Sequence, residues 1–375
     1  MKKIGLYIHI PFCTKKCKYC DFVSYTNYNT NLLSNYFSSL KRELYLYNHL
    51  DFKIDTIYIG GGTPTAVDSR YIVELLEYIY SHFQIDEGIE ITIEANPESI
   101  TKEKLHHYKD YGINRLSIGI QSFSDVELQY LGRIHSSEKG LYAINIGADY
   151  FDNINVDLMI GIPYQNINTF LYSLDKALSL GVKHISIYSL KIEENTELYK
   201  LYHYIKLLLP SEDDERKMYW LAHDILNENK YEHYEISNYS KEGFFSKHNL
   251  KYWNYDDYIG IGCAAHSFIN NHRLANISDL EGYIEAVLKN KKAVVQDEII
   301  DYDESMKEYI ILSLRKIEGL NINHFNNKFG LDFIKKYKKE LDKLQAKDLI
   351  YLNKNTVSLT KKGIDFANIV WREFI

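Results

Sequence analysis

Cysteine and proline are scarce in this chain, with four of the first and five of the second in 375 residues. Four cysteines are too few to staple a secreted fold of this length, and three of them, Cys13, Cys17 and Cys20, sit together while Cys263 stands alone. That distribution suits a metal site in a reducing compartment. Apolar runs are short as well. None approaches the roughly 20 residues of a membrane span, and the stretch before Pro11 is too brief for a signal peptide, so a cytoplasmic protein is expected. Positive charge is not in excess either: the formal net charge is −7, which gives no general attraction to nucleic acid or to an anionic membrane. A hydrophobic fraction of 45% with 25% charged residues excludes disorder.

What is present is an alternation. Short β-branched and aromatic runs at 6–10, 56–60, 90–94, 115–120, 154–159 and 184–190 are separated by amphipathic stretches at 36–46, 69–83, 102–111, 124–131 and 169–180. Six strands alternating with helices imply a parallel sheet, and right-handed crossovers curl it into a partial (β/α)6 barrel of the TIM type; a flat doubly wound sheet is the alternative. Ser211, followed by Glu212, Asp213 and Asp214, offers an N-cap and an acidic first turn, so a helix starts there. The division expected is a core barrel at 1–210, a linking region at 211–300 and a C-terminal α+β accessory domain at 301–375. The last region reads helix, short helix, helix, a hairpin turning at Asn353–Asn355 and a final helix, an order that resembles a winged helix. Lys335, Lys336, Lys338, Lys339 and Lys343 fall on one expected helix there. With Glu340 and Asp342 beside them they read as a solvated face, and no specific nucleic acid is expected.

The cysteine cluster carries the most chemistry. Cys13, Cys17 and Cys20 follow the first strand directly, at the strand end where such barrels place their sites. Three thiolates hold three irons of a [4Fe–4S] cubane and leave the fourth open. An open iron can chelate the amino and carboxylate groups of S-adenosylmethionine, and an electron from the cluster then cleaves the sulfonium to a 5′-deoxyadenosyl radical. A zinc site is the alternative, with His9 as a candidate fourth ligand.

With Tyr19 before the last cysteine, the cluster resembles the CxxxCxΦC signature of the radical S-adenosylmethionine superfamily. The resemblance implies roles for residues after later strands. Gly60, Gly61, Gly62, Thr63 and Pro64 look like the glycine motif that receives the amino group of the cofactor. Glu94 would accept its ribose hydroxyls, and Tyr7 matches a position that touches it. Gln121, Arg133 and Asp157 would line the upper cavity and meet a second S-adenosylmethionine or the substrate. By their residue types alone, Glu94 could be a solvated strand-end acid, Tyr7 a core residue, and Arg133 and Asp157 a mutual salt bridge.

The phrases YIHIPFC, IGGGTPT, EANPES, NRLSIGIQSF, LGRIH, NVDLMIGIP and YIGIGCAAHSF extend the resemblance over nearly the whole chain, to the family of oxygen-independent coproporphyrinogen III oxidase and related haem chaperones. Two departures point to the chaperone branch. The oxidases carry a further cysteine where this chain has Phe22 and an N-terminal extension before the cluster, whereas Cys20-Asp21-Phe22 is the chaperone pattern. His248-Asn249-Leu250-Lys251-Tyr252-Trp253 also matches an HNxxYW motif associated with haem, in which His248 would be an iron ligand among stacking aromatics. His266 and Cys263 are further ligand candidates, although Cys263 also reads as a small packing residue.

The resemblance implies a haem chaperone with a [4Fe–4S] cluster, S-adenosylmethionine and haem as cofactors, delivering haem to acceptor haemoproteins such as respiratory enzymes at a membrane surface. It further implies that the C-terminal domain covers the barrel mouth. Peripheral membrane association and a homodimer stay open. The alternatives are coproporphyrinogen III oxidase activity, haem-modifying radical chemistry, and a winged-helix regulator with a redox-sensing cluster.

Overall fold

In the computed structural model, which describes residues 1–289, 291 and 293–375, the six expected strands run parallel and in sequence order. They are β1 (Lys2–Ile10), β2 (Phe52–Gly61), β3 (Gln84–Ala95), β4 (Arg115–Gln121), β5 (Asn153–Ile160) and β6 (His184–Ser189). Their sequences explain both faces. One set of alternate residues is aliphatic and buried against the helices: Ile4, Leu6 and Ile8 on β1, Leu116, Ile118 and Ile120 on β4, Ile154, Val156 and Leu158 on β5. The other set is polar or glycine: Gly5, Tyr7 and His9; Thr56, Tyr58 and Gly60; Glu90, Thr92 and Glu94; Ser117, Gly119 and Gln121; Asn155 and Asp157. Because side chains alternate across a strand, this second set faces the inside of the curl. A sheet covered by helices on both faces would need aliphatic residues on both, so the polar set excludes the flat doubly wound alternative.

Helices Thr30–Tyr45, Ser69–His82, Lys102–Asp110, Asp125–Leu131 and Ile167–Ser179 stand where amphipathic stretches were expected. The first begins earlier than 36 because the Asn29 side chain accepts from the Leu32 amide and caps it. Helix Ser137–Ala148 was not expected; Gly140 and Gly147 dilute its apolar stripe, yet both are buried against Ile118 and Ile120 of β4 and their neighbours. Ser211 caps Glu212–Glu228 as its sequence implied.

Residues 211–300 extend the sheet at both edges. At one edge β7 (Glu232–Glu235) and β8 (Asn238–Ser240) join antiparallel beside β6. At the other, β9 (Tyr258–Ile261) pairs parallel with β1, and β10 (His266–Ile269), β11 (His272–Asn276) and β12 (Val294–Ile299) follow antiparallel, giving a 12-stranded sheet. Among the described residues no helix is long and apolar enough to cross a membrane.

The C-terminal part has its own core around Phe325, Phe333, Leu341 and Val370. The hairpin of Ile350–Leu352 and Thr356–Leu359 is joined by a third short strand, Leu320–Asn321, and helices surround this wing. The single lysine-bearing helix expected there is two, Phe333–Lys336 and Lys338–Ala346, broken at Tyr337. Lys336 lies 3.5 Å from Asp303 and Lys343 2.6 Å from Glu373, so two of the five lysines are spent on ion pairs. This part leans on the side of the barrel: Trp220 donates to Asp365 at 2.9 Å, and the Arg315 guanidinium lies 4.2 Å from the Trp253 ring centroid.

Candidate radical S-adenosylmethionine site

The loop after β1 carries Cys13, Cys17 and Cys20, all free, into a cavity of about 390 Å³ at the C-terminal ends of the strands. Backbone bonds tie the loop down. The Cys13 amide donates to Tyr25 O, the Lys18 amide to Leu131 O, and the Leu198 amide to Lys18 O. Gly61, Gly62, Thr63, Glu94, Gln121, Arg133, Asp157 and Tyr19 line the same cavity. Eleven expected site residues, the three cysteines and these eight, therefore converge from different strands and the connections that follow them.

The glycine loop is fitted to the cysteine loop. The Gly62 and Thr63 amides donate to Ile10 O and Phe12 O. A Cβ on Gly62 would lie 2.9 Å from both Ile10 O and Phe12 O and 3.0 Å from Cys13 Sγ, so only hydrogen fits there. Gly61 has φ +109°, a region that disfavours side chains. Thr63 Oγ1 donates to Cys13 Sγ at 3.5 Å and accepts from Asn96 Nδ2 at 2.9 Å.

Arg133 closes this network. Its Nη2 donates to Asn96 Oδ1 at 2.7 Å and to Gly119 O at 2.6 Å, and its Nη1 to Cys17 Sγ at 3.4 Å. Asp157 is held separately, accepting from Asn155 Nδ2 at 2.7 Å. The mutual salt bridge considered for this pair is thus not how either spends its charge. Burial pushes the Asp157 carboxyl above its ordinary range.

Glu94 accepts from Tyr58 OH at 2.7 Å on one oxygen and from the Gly61 amide at 3.0 Å on the other. Burial raises its carboxyl to about 7, with Tyr58 pulling the other way. Each oxygen keeps a lone pair that these bonds do not use, the equipment for accepting two hydroxyl hydrogens.

The donor chemistry fits an iron–sulfur cubane. Burial pushes the Cys13 thiol up, and the Cys20 thiol up to about 11; such thiols become thiolates when a metal takes the place of the proton. Among the described residues no three His, Cys, Asp or Glu side chains gather around one ion position, and a cubane, which gives each thiolate its own iron, needs no such convergence. His9, the candidate fourth zinc ligand, has both ring nitrogens engaged, Nδ1 with Tyr7 OH at 2.9 Å and Nε2 with Val23 O at 3.1 Å.

Other expected residues lie elsewhere. Tyr7 is bonded to His9 below the cavity and is not part of its lining. Cys263 is fully buried beside the Tyr36 hydroxyl, as a packing residue, and His266 is exposed at the start of β10. His248 is 1% exposed on helix Lys247–Trp253. Its Nδ1 bonds Thr56 Oγ1 at 2.8 Å and its Nε2 bonds Tyr252 OH at 2.9 Å, so neither nitrogen is open in this conformation. No residue of 301–375 lines the cavity; the expectation that the C-terminal part covers the barrel mouth is corrected by its packing against helices Glu212–Glu228 and Lys247–Trp253.

Asn96 and Tyr58 are functional neighbours that the sequence reading missed. Tyr58 is two residues from Gly60 and shares its face of β2, an alternation that was the available signal; Asn96 stands just past the end of β3, in the connection where such barrels place their chemistry.

Residues 7–177 match the model of the radical SAM superfamily, and 300–366 that of the HemN C-terminal domain. The chain is 33% identical over 375 residues to the haem chaperone HemW of Lactococcus lactis, covering 100% of this chain and 98% of that one. It is 33% identical over 373 residues to the HemW of Bacillus subtilis, with 98% of each covered. The solved coproporphyrinogen III oxidase HemN of Escherichia coli superposes with a TM-score of 0.87 at 21% identity, over 100% of this chain and 90% of that one, a likeness of fold. With three cysteines, a glycine loop and a strand-end carboxylate gathered in one barrel, and with this similarity along its whole length, the chain belongs to the HemW family of haem chaperones within the radical SAM superfamily.

Proposed function

We propose that this protein binds haem and hands it to acceptor haemoproteins, and that it does so with a [4Fe–4S] cluster on Cys13, Cys17 and Cys20 and S-adenosylmethionine beside it. The observation that carries the reading is the 33% identity to haem chaperones across the full chain, with Phe22 standing where the oxidases have a further cysteine. When bound, the cluster with its cofactor supplies one-electron chemistry at a sulfonium. The chain's own residues would do the rest. Gly61, Gly62 and Thr63 leave backbone room for the amino group of the cofactor, and Glu94 accepts its ribose hydroxyls. Gln121, Arg133 and Asp157 border the space beyond, where a second S-adenosylmethionine would fit. Arg133 also holds Cys17 through its hydrogen bond.

Haem would meet an aromatic cavity of about 360 Å³ between the HNxxYW helix and the C-terminal part, lined by Tyr252, Trp253, Tyr255, Tyr258, Phe268 and Arg273. Aromatic faces suit a macrocycle; Arg273 would take a propionate only by exchanging its 2.6 Å bond to Glu308, which with Asp256 also lines this cavity. For His248 to ligate the iron as its motif suggests, it would exchange its bond to Tyr252 or Thr56 for the metal. The acceptors would include respiratory enzymes at a membrane surface, with the protein in the cytoplasm and peripheral to that membrane, and a homodimer is part of the same reading. The division at about 210 and 300 separates cofactor barrel, haem-motif region and accessory domain. Titrating haem into the anaerobically reconstituted protein and following its passage to an apo-haemoprotein tests the proposal; absence of both binding and passage would refute it.

A further inference from the structure

The HNxxYW helix is bound to the two strands that carry the glycine loop and Glu94. At its N-terminus the Lys247 and His248 amides both donate to the Glu90 carboxylate of β3 at 3.0 Å. Lys251 pairs with Asp55 at 2.9 Å, and the His248 ring bonds Thr56, both residues lying on β2. The ring also stacks on Tyr58, with centroids 5.2 Å apart and planes 29° apart, and Tyr58 stacks in turn on Tyr7. The tyrosine between these rings is the one whose hydroxyl donates to Glu94.

We propose that His248 is a positioning residue of the cofactor pocket: held by Thr56 and Tyr252, its ring fixes Tyr58, and Tyr58 fixes the Glu94 carboxylate that receives the ribose. A tyrosine on the inside of a barrel with no ring beneath it can turn about χ1 and withdraw its hydroxyl. Clamped between Tyr7 and His248 it has one position, and the carboxylate meets the cofactor already oriented, which saves the cost of ordering it on binding. The same helix presents Tyr252 and Trp253 to the aromatic cavity, so it touches both the tyrosine that orders Glu94 and the proposed haem site. This inference rests on the proposed binding of S-adenosylmethionine, and it gives His248 a task that needs no haem iron.

The test measures S-adenosylmethionine affinity by equilibrium dialysis on the full chain with its cluster reconstituted, alongside iron content, melting temperature and haem absorption spectrum. His248→Ala and Tyr58→Phe should each weaken cofactor binding, and the double variant should bind about as poorly as Tyr58→Phe alone, because the histidine acts through the tyrosine. Thr56→Val and Tyr252→Phe, gentler changes should His248→Ala fail to fold, should weaken binding less. Glu94 faces Tyr58 on β2 and feels Arg115 and Asp157 across the barrel. Losing the Tyr58 hydroxyl should therefore move the pH midpoint of cofactor binding upward, a shift that general loosening of the fold would not produce. Unchanged affinity and pH midpoint in folded, cluster-replete variants would overturn the inference, as would a haem spectrum altered by His248→Ala with cofactor affinity intact. Wild-type protein that fails to bind S-adenosylmethionine would instead defeat the cofactor reading itself.

Discussion

Replacing Gly62 with alanine isolates the fit between the glycine and cysteine loops. A Cβ there meets two carbonyl oxygens at 2.9 Å and Cys13 Sγ at 3.0 Å, whereas ordinary contact begins at 3.4 Å. The loops must therefore part by about 0.5 Å, from 3.4 less 2.9, and the atoms that yield are backbone and a proposed cluster ligand. Overpacking of this kind costs about 1–3 kcal/mol. In a chain of this length that lowers the melting temperature by only a few degrees. The effect on the cluster is larger, because metal–ligand distances tolerate about 0.2 Å. Gly88→Ala is the control, since a Cβ there meets nothing within 4 Å. Iron and acid-labile sulfide, measured after anaerobic reconstitution, should fall sharply in Gly62→Ala and stay at the wild-type level in Gly88→Ala. Full iron content in Gly62→Ala, with a normal melting temperature, would refute the argument that this glycine is there to let the two loops meet.

Three further outcomes follow from named groups. Glu94, raised to about 7 by burial, accepts two hydroxyl hydrogens only when ionised, so S-adenosylmethionine affinity should fall as pH drops from 8 to 6; a flat profile would remove Glu94 from the ribose. Arg133→Lys cannot reproduce the fork to Asn96, Gly119 O and Cys17, and losing hydrogen bonds of a charged group should cost about 1.5–3 kcal/mol, read as lower cluster retention under a chelator. Glu43 is buried among the Gly262 amide, Asn276 and Tyr283, and burial raises it to about 7 from 4.5. Because the native state holds this proton more tightly than the unfolded chain, stability should fall by about 3 kcal/mol as pH rises through that window, and urea denaturation at pH 5 and 8 should show Glu43→Gln without that loss.

Much of the barrel was legible because its strands are short β-branched runs with period-two alternation, and because helix starts such as Ser211 carry their own chemistry. The cavity was legible for a related reason: most residues that line it stand toward a strand's C-terminal end or in the connection that follows it, where a parallel barrel exposes its chemistry. Tyr58 and Asn96 were not, since nothing in a lone tyrosine or asparagine says which carboxylate or arginine it will meet across the sheet. The two edge extensions, β7–β8 and β9–β12, escaped because strands of three to six residues carry little periodicity and are stabilised by pairing with β6 and β1 over long sequence separations. The lysine-bearing helix was read as continuous because its composition is helical throughout, and the break at Tyr337 is a tertiary effect, with that ring packed against Phe325, Phe333 and Phe374. His248 shows the limit of a motif: its spacing suggests a ligand, while its two hydrogen bonds and the Tyr58 stack are visible only in three dimensions.

The measurement that bears most directly on the central claim runs two assays on one anaerobically reconstituted preparation supplied with S-adenosylmethionine and reductant. The first follows transfer of bound haem to an apo-haemoprotein; the second follows conversion of coproporphyrinogen III. Haem should be bound and transferred while coproporphyrinogen is left unchanged. Steady turnover of coproporphyrinogen, with no haem transferred, would contradict it.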